Sequence, residues 1–330
     1  MEYSQHSHYR WGWGADWFNA PDVSKSFHAQ LGSCQRSHKG FRTEVIHAAQ
    51  LLTAQFTKPT MVGLSGGFDS QVVCLTLLEL KYKFTPLVLR LVDSNNKLLN
   101  GHDIDGAIEF CKRYNLKPKF ETLDMLAFYR GRGRGLVVEH ALTNVQTVIQ
   151  LHVIDKFCQD YSFIMGGGDL MLLKPKNWRQ GNDVINISLG PTPIQQHLIK
   201  YGYEGCTKFF MYTPELIASY LDNQVTKAFF AAQTTIYDTF TRHYPQPQWW
   251  LCFNYYIKPM FYVEAWPELI QRKKFTGFEA FPEMQQVRDE LAEAVKPYDI
   301  ERKSIYVNVQ EIIAHLLSGG GATKEWRSRG

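Results

Sequence analysis

The chain has 330 residues, room for one large domain or two moderate ones, and 45% of them are hydrophobic, which excludes global disorder. A formal net charge of +4 is too mild to single out nucleic acid as a partner, although it would not repel an anionic substrate. The six cysteines (Cys34, Cys74, Cys111, Cys158, Cys206 and Cys252) stand far apart with no C-x-x-C pair, which argues against a zinc ribbon and against a disulfide framework. No apolar run approaches the roughly 18–20 residues of a membrane helix. The start, MEYSQHSHYRWGWG, is polar and aromatic rather than basic then apolar. The expectation is a soluble, cytoplasmic protein.

Residues 1–40 show no clear period. Trp11, Trp13, Trp17 and Phe18 read as packing groups on an N-terminal aromatic extension, and the His6/His8 pair as solvated. From residue 41 the pattern becomes regular. Val45, Ala48, Leu51, Leu52 and Phe56 have helical spacing over 41–57, ended by Lys58-Pro59. Then TMVGL reads as a strand, SGGFDS as a tight turn and QVVCLTLLEL as a helix. Residues 86–93 read as a second, buried strand, 103–114 as an amphipathic helix and 119–123 as a third strand. Residues 129–135, YRGRGRG, read as a flexible loop, 136–161 as one long helix and 162–165 as a fourth strand running into Gly166-Gly167-Gly168-Asp169.

This alternation over 41–175 predicts an α/β fold, a doubly wound parallel sheet with helices on both faces. Ligands of such sheets sit beyond the carboxyl ends of the strands, and both glycine-rich turns follow strands directly, so both belong at that edge. Beyond 175 the alternation fades. Residues 176–317 read as a mostly helical substrate or partner region, with helices near 214–243, 248–263 and 283–296, and residues 318–330 as a mobile tail.

Around Ser65–Ser70 the residue types point to phosphate. Gly66 and Gly67 leave backbone N–H groups bare, and a helix N-terminus follows at Ser70, carrying orphan donors and partial positive charge. Asp69 beside a polyphosphate calls for a cation between them, which reads as Mg²⁺. There is no Gly-Lys-Ser/Thr, so this is not a Walker A loop.

SGGFDS in this context resembles the PP-loop of the N-type ATP pyrophosphatases. That superfamily includes asparagine synthetase, argininosuccinate synthetase, GMP synthetase, NAD synthetase, tRNA lysidine synthetase and 7-cyano-7-deazaguanine synthase. Among these the chain resembles most the synthetase domain of asparagine synthetase. The resemblance implies a HUP-type fold and ATP with Mg²⁺. Ser65, Gly66, Gly67 and Ser70 would grip the pyrophosphate portion of ATP, Leu64 and Leu91 would flank the adenine, and Asp69 would bind the metal. The stretch Gly166–Asp169 resembles the second nucleotide motif of the asparagine synthetase branch, with Asp169 one residue early and Leu170 replacing the following acid. Gly166 and Gly167 would take the ribose–phosphate edge, and Asp169 a second metal contact. For the leaving pyrophosphate, candidate cations are Lys174, the arginines Arg130, Arg132 and Arg134, and Arg272-Lys273-Lys274.

The implied activity is a ligase that adenylates a carboxylate or carbonyl oxygen of a small molecule before an amine or ammonia displaces AMP. Residue 2 is Glu, where asparagine synthetases begin a glutaminase domain with cysteine, so the nitrogen would come from free ammonia, a substrate amine or a separate donor subunit. Two alternatives stay open. One is a nucleobase- or nucleic-acid-modifying enzyme, for which Trp249-Trp250 and Tyr255-Tyr256 could stack bases. The other is a non-catalytic nucleotide sensor. A homo-oligomer is compatible with any of these.

Overall fold

The structure, a computed structural model, describes residues 8–19, 22, 24–142, 145–167, 171–173, 186–190, 192–231, 258–270, 282–295 and 305–327. At the N-terminal end, β1 (Tyr9–Trp13), β2 (Asp16–Trp17) and β3 (Phe27–Gly32) pair antiparallel. The aromatic extension is therefore a sheet. Its period was hidden because β1 is buried at Tyr9, Trp11, Gly12 and Trp13, and not only at alternate positions. Trp11 and Trp13 meet edge to face, and the Trp11 indole N–H donates to Thr192 Oγ1 at 2.8 Å, so the rings are core.

The regular part follows as α1 (Phe41–Thr53), β4 (Thr60–Gly63), α2 (Phe68–Glu79), β5 (Phe84–Val92), α3 (Gly101–Arg113), β6 (Lys119–Asp124), α4 (Met125–Arg130), α5 (Arg132–His140), α6 (Val145–Phe157) and β7 (Ser162–Met165). Two expectations fail here. The 129–135 loop is helical, split only at Gly131, and a Cβ on Gly133 would fall 3.0 Å from the Phe128 carbonyl oxygen. The helix expected over 136–161 is two helices, because Ala141 takes a left-handed conformation at φ 49° and ends α5.

After these come β8 (Met171–Leu173), β9 (Asn186–Leu189), α7 (Pro193–Tyr201), β10 (Gly205–Cys206), α8 (Pro214–Leu221), α9 (Gln224–Ala231), α10 (Lys258–Ala265), α11 (Pro282–Val295), β11 (Ile305–Asn308), α12 (Val309–Leu317) and β12 (Thr323–Arg327). The expected helix 214–243 breaks at Asp222-Asn223, where Asn223 Oδ1 accepts from Val225 N. The region after 175 is less purely helical than its composition suggests. Strands β8, β9 and β11 form an antiparallel sheet, and β10 joins the central one. Residues 323–327 of the expected mobile tail are a strand paired along β3.

Among the described residues, five strands make the central parallel sheet, in the order β10-β7-β4-β5-β6. The inner strands β7, β4 and β5 look largely apolar because both of their faces are covered, whereas the edge strand β6, KFETLD, is exposed or half-buried throughout. Met61, Leu87 and Phe163 pack with Val153, Ile154 and Phe157 of α6 and Leu198 of α7. Their neighbours Val62, Val88 and Ile164 face the other way, onto Val72 and Val73 of α2 and Ala107 and Phe110 of α3. Burying each such side chain contributes about 1.5–3 kcal/mol. From β4 the chain moves outward to β5 and β6, then returns to lay β7 on the other side of β4. The strand order reverses between β4 and β7, and the two glycine-rich turns leave the sheet there.

Candidate functional site

The Leu64–Gly67 turn joins β4 to α2. Gly66 has φ +70°, and a Cβ on it would fall 2.8 Å from the Asp103 carbonyl oxygen and the Ala107 nitrogen, so only glycine fits between the turn and α3. Helix α2 begins at Phe68, two residues before the expected start, and has no side-chain cap at Gly67. Gly67 has no side chain to cap the first turn, and the amides at a helix N-terminus suit an anion. Ser70 folds back over the turn. Its hydroxyl donates to the Gly67 carbonyl at 2.9 Å and accepts from Ser65 N at 3.2 Å, and Ser65 Oγ lies 3.3 Å from Ser70 Oγ. Ser65 is exposed and Asp69 half-buried, while Ser70 is buried.

The end of β7 packs directly on this turn. A Cβ on Gly166 would fall 2.7 Å from the Asp69 carbonyl carbon and oxygen and 2.8 Å from the Ser70 nitrogen. The two glycine-rich turns, separated by about a hundred residues of sequence, thus touch through their backbones. On the far side of β7, Gly167 lies against the Thr207 carbonyl, and its own carbonyl accepts from Phe210 N at 3.0 Å. Lys208 follows Thr207 just past the end of β10, so a lysine that the sequence pattern did not single out stands at the same edge.

Two more residues escaped the sequence reading. Tyr262 of α10 donates its hydroxyl to Asp69 Oδ1 at 2.8 Å. Gln71, fully buried in α2, donates to the Gly66 carbonyl at 2.8 Å and exchanges hydrogen bonds with both the amide and the carbonyl of Ile270 at 2.9 Å. Gln71 carried a weak signal, as a polar residue opening an apolar run. Tyr262 carried none, because its partner lies 193 positions away.

Of the residues expected at the site, Ser65, Gly66, Gly67, Asp69, Ser70, Gly166 and Gly167 are brought together. Leu64 is buried at 2% exposure beside them. Leu91 stands near the end of β5. It is 4% exposed, packs with Met125, Phe128 and Val148, and its amide donates to Asn100 Oδ1 at 2.9 Å. Asp169, Lys174, the 272–274 cluster and the aromatic pairs at 249–250 and 255–256 lie outside the described residues. Arg132 is engaged elsewhere, paired with Asp155 at 2.5 Å.

The five described cysteines are all buried. Burial pushes the thiols of Cys34, Cys158 and Cys206 up to about 12 and that of Cys111 up to about 11, so none is a ready thiolate at neutral pH.

No family model and no curated protein matches the chain. Solved structures do. NMN synthetase from Francisella tularensis is 18% identical with a TM-score of 0.29, the match covering 39% of this chain and 53% of that one, about half its length. The NH3-dependent NAD synthetase from Campylobacter jejuni subsp. jejuni NCTC 11168 is 13% identical with a TM-score of 0.31, over 70% of this chain and 97% of that one. The U34-tRNA thiolase NcsA from Methanococcus maripaludis is 13% identical with a TM-score of 0.35, over 84% and 79%. These likenesses are too distant to carry a function over to this chain. No helix among the described residues is long and apolar enough to cross a membrane.

Proposed function

We propose that the chain is an ATP-dependent enzyme of the PP-loop type that splits ATP between its α and β phosphates, forming an adenylate of an acceptor carbonyl or carboxylate oxygen. The observation that supports this best is the contact of Gly166 with the backbone of Asp69 and Ser70 at the sheet's switch point. It puts an edge free of side chains beside a helix N-terminus without a side-chain cap, an arrangement suited to a polyphosphate with its ribose. The Ser65 and Ser70 hydroxyls and the amides of the turn hold the leaving pyrophosphate portion. Gly166 and Gly167, having no side chains, let the ribose–phosphate edge approach.

Asp69, Ser65 and Ser70 offer oxygen donors of the class that Mg²⁺ takes, and Tyr262 orients the Asp69 carboxylate from one side. Bound there, Mg²⁺ would neutralise charge on the phosphates. Asp169 and Lys174 complete the proposed set, as second metal contact and pyrophosphate cation. The rest of the work is positioning and charge stabilisation, which needs no nucleophilic triad. The acceptor oxygen attacks the α-phosphorus, pyrophosphate leaves, and an amine or ammonia then displaces AMP in a C–N bond-forming step, as in asparagine synthetase-like ligases. The buried, protonated thiols of the five described cysteines speak against a sulfur-transferring variant of this chemistry.

The test is exchange of labelled pyrophosphate into ATP with Mg²⁺, in separate pools of carboxylates, amino acids and modified nucleobases, with Asp69→Ala alongside. Exchange in one pool that disappears in Asp69→Ala supports the proposal and identifies the acceptor class. ATP binding without exchange in any pool, even with ammonia or glutamine added, sides with a nucleotide sensor instead.

A further inference from the structure

A second cluster of ligating side chains lies far from the turns. Lys58, just before β4, reaches the Cys158 carbonyl at 3.1 Å, so the end of α6 sits at the amino ends of the strands. Asp155 is in this last turn of α6. There His197 of α7 hydrogen-bonds through Nε2 to Asp155 Oδ1 at 2.5 Å, and through Nδ1 to His140 Nε2 at 3.0 Å. Both rings are buried, at 0% and 3% exposure. Among the described residues one trio offers ligand atoms within 4.8 Å of one another: Glu139, His140 and His197.

We propose that Glu139, His140 and His197 form a site for a divalent metal of the zinc class, independent of the nucleotide reading. Three geometric features carry this. First, Zn²⁺ binds imidazole nitrogen at about 2.0–2.1 Å in a tetrahedron, which sets neighbouring ligand atoms roughly 3.3–3.5 Å apart. His140 Nε2 lies 3.0 Å from His197 Nδ1 and 3.8 Å from Glu139 Oε1, and all three ligand atoms lie within 4.8 Å of one another, so modest side-chain shifts close the coordination shell. Second, the ionised Asp155 only accepts, so His197 Nε2 carries the proton and Nδ1 presents a lone pair toward the site. A carboxylate on the far nitrogen of a ligating histidine is the usual outer-shell arrangement of zinc sites, and Arg132 in turn fixes Asp155. Third, the donors come from α5 and α7, so a metal there would tie two helices separated by more than fifty residues.

A proton and a lysine occupy the positions the metal would take. His140 shares its Nε2–H with His197, and moves that proton to Nδ1 when the metal binds. Lys200 holds Glu139 Oε1 at 2.6 Å, where the Tyr201 hydroxyl also donates at 3.0 Å. The lysine side chain is half exposed and has room to swing away. The predicted coordination is three protein ligands and one open position, which a water or an exogenous anion fills.

The test uses tag-free, chelator-treated full-length protein titrated with Zn²⁺ and, for spectroscopy, Co²⁺. One equivalent of metal should bind, with the visible bands of tetrahedral cobalt and a raised melting temperature. His140→Gln should abolish all three. Asp155→Asn should weaken binding by about 10–100-fold. Lys200→Met should tighten it, a change that a purely structural hydrogen-bond chain would not produce. Should His140→Gln fail to fold, Glu139→Gln, at a half-buried position, must give the same loss of tetrahedral bands. Absence of stoichiometric binding in the wild type and in Lys200→Met would overturn the proposal. So would binding that survives in both His140→Gln and Glu139→Gln.

Discussion

The Tyr262 hydroxyl donates to Asp69 Oδ1 at 2.8 Å and so joins α10 to the first turn of α2. The tyrosine ring is fully buried, with Phe41 stacked on it and Phe210 tilted against it. A hydrogen bond to a charged group is worth about 1.5–3 kcal/mol. Tyr262→Phe keeps the ring and removes only this bond, so the protein should fold normally. Pyrophosphate exchange should fall by about tenfold or more, the equivalent of that energy, with a higher Mg²⁺ requirement. An unchanged Mg²⁺ dependence would reduce Tyr262 to packing.

Gln71 holds the turn from below. Gln71→Leu is close in volume but strands the amide of Ile270 and the carbonyls of Gly66 and Ile270 without their partner. Each stranded buried group costs about 1–3 kcal/mol. Urea denaturation should show a loss of at least that size, and residues around Gly66 should exchange amide hydrogens faster. A variant as stable as wild type would mean that water replaces all three bonds.

Glu204 gives the fold a pH dependence. Burial alone would raise its pKa, but hydrogen bonds from Ser162, Thr57 and the Lys58 amide outweigh it and hold the carboxyl down to about 2, against 4.5 ordinarily. A depressed folded-state pKa contributes stability that is fully present above 4.5 and is lost as pH falls toward 2. Thermal melts of wild type against Glu204→Gln should therefore differ most near neutral pH and converge across that acid window. Parallel curves at all pH values would assign the acid sensitivity to other carboxylates.

Residues 323–327 supply another check. Strand β12 covers the edge of β3, with Trp326 opposite Ala29. The pairs of Lys324 and Trp326 with Glu311 are exposed and worth little, so the stabilisation lies in the ladder itself. Truncation after Ala322 should lower the melting temperature and leave a β3 edge prone to self-association. An unaltered melt and a monomeric species would suit the mobile tail that the glycines at 319–321 suggest.

That tail illustrates where sequence patterns inform and where they do not. The inner strands β4, β5 and β7 were legible as short apolar runs, while β10, only two residues long, left no pattern. The Ser65–Ser70 and Gly166–Gly167 turns were legible as turns because small residues stand directly after the strands. The flanking sheet was not, since β1 is buried at consecutive positions and β12 follows three glycines with left-handed φ values that look like an unstructured end. The packing of Leu91 with Met125 and Phe128 was not legible, because a buried leucine at a strand end looks the same in any core. Tyr262, Gln71 with Ile270, and the His140–His197 pair depend on tertiary contacts that leave no local pattern.

The central claim is that the two glycine-rich turns form one nucleotide site. Calorimetric titration of MgATP into wild type, Ser70→Ala, Gly166→Ala and the double variant tests it most directly. Gly166→Ala puts a Cβ against the backbone at Asp69 and Ser70, and Ser70→Ala removes the hydroxyl that bonds the turn, so each single change should weaken binding. The double change should depart from additivity by about 0.5–3 kcal/mol, as expected for residues sharing one site. Wild-type affinity in Gly166→Ala, or strictly additive losses, would contradict a shared site.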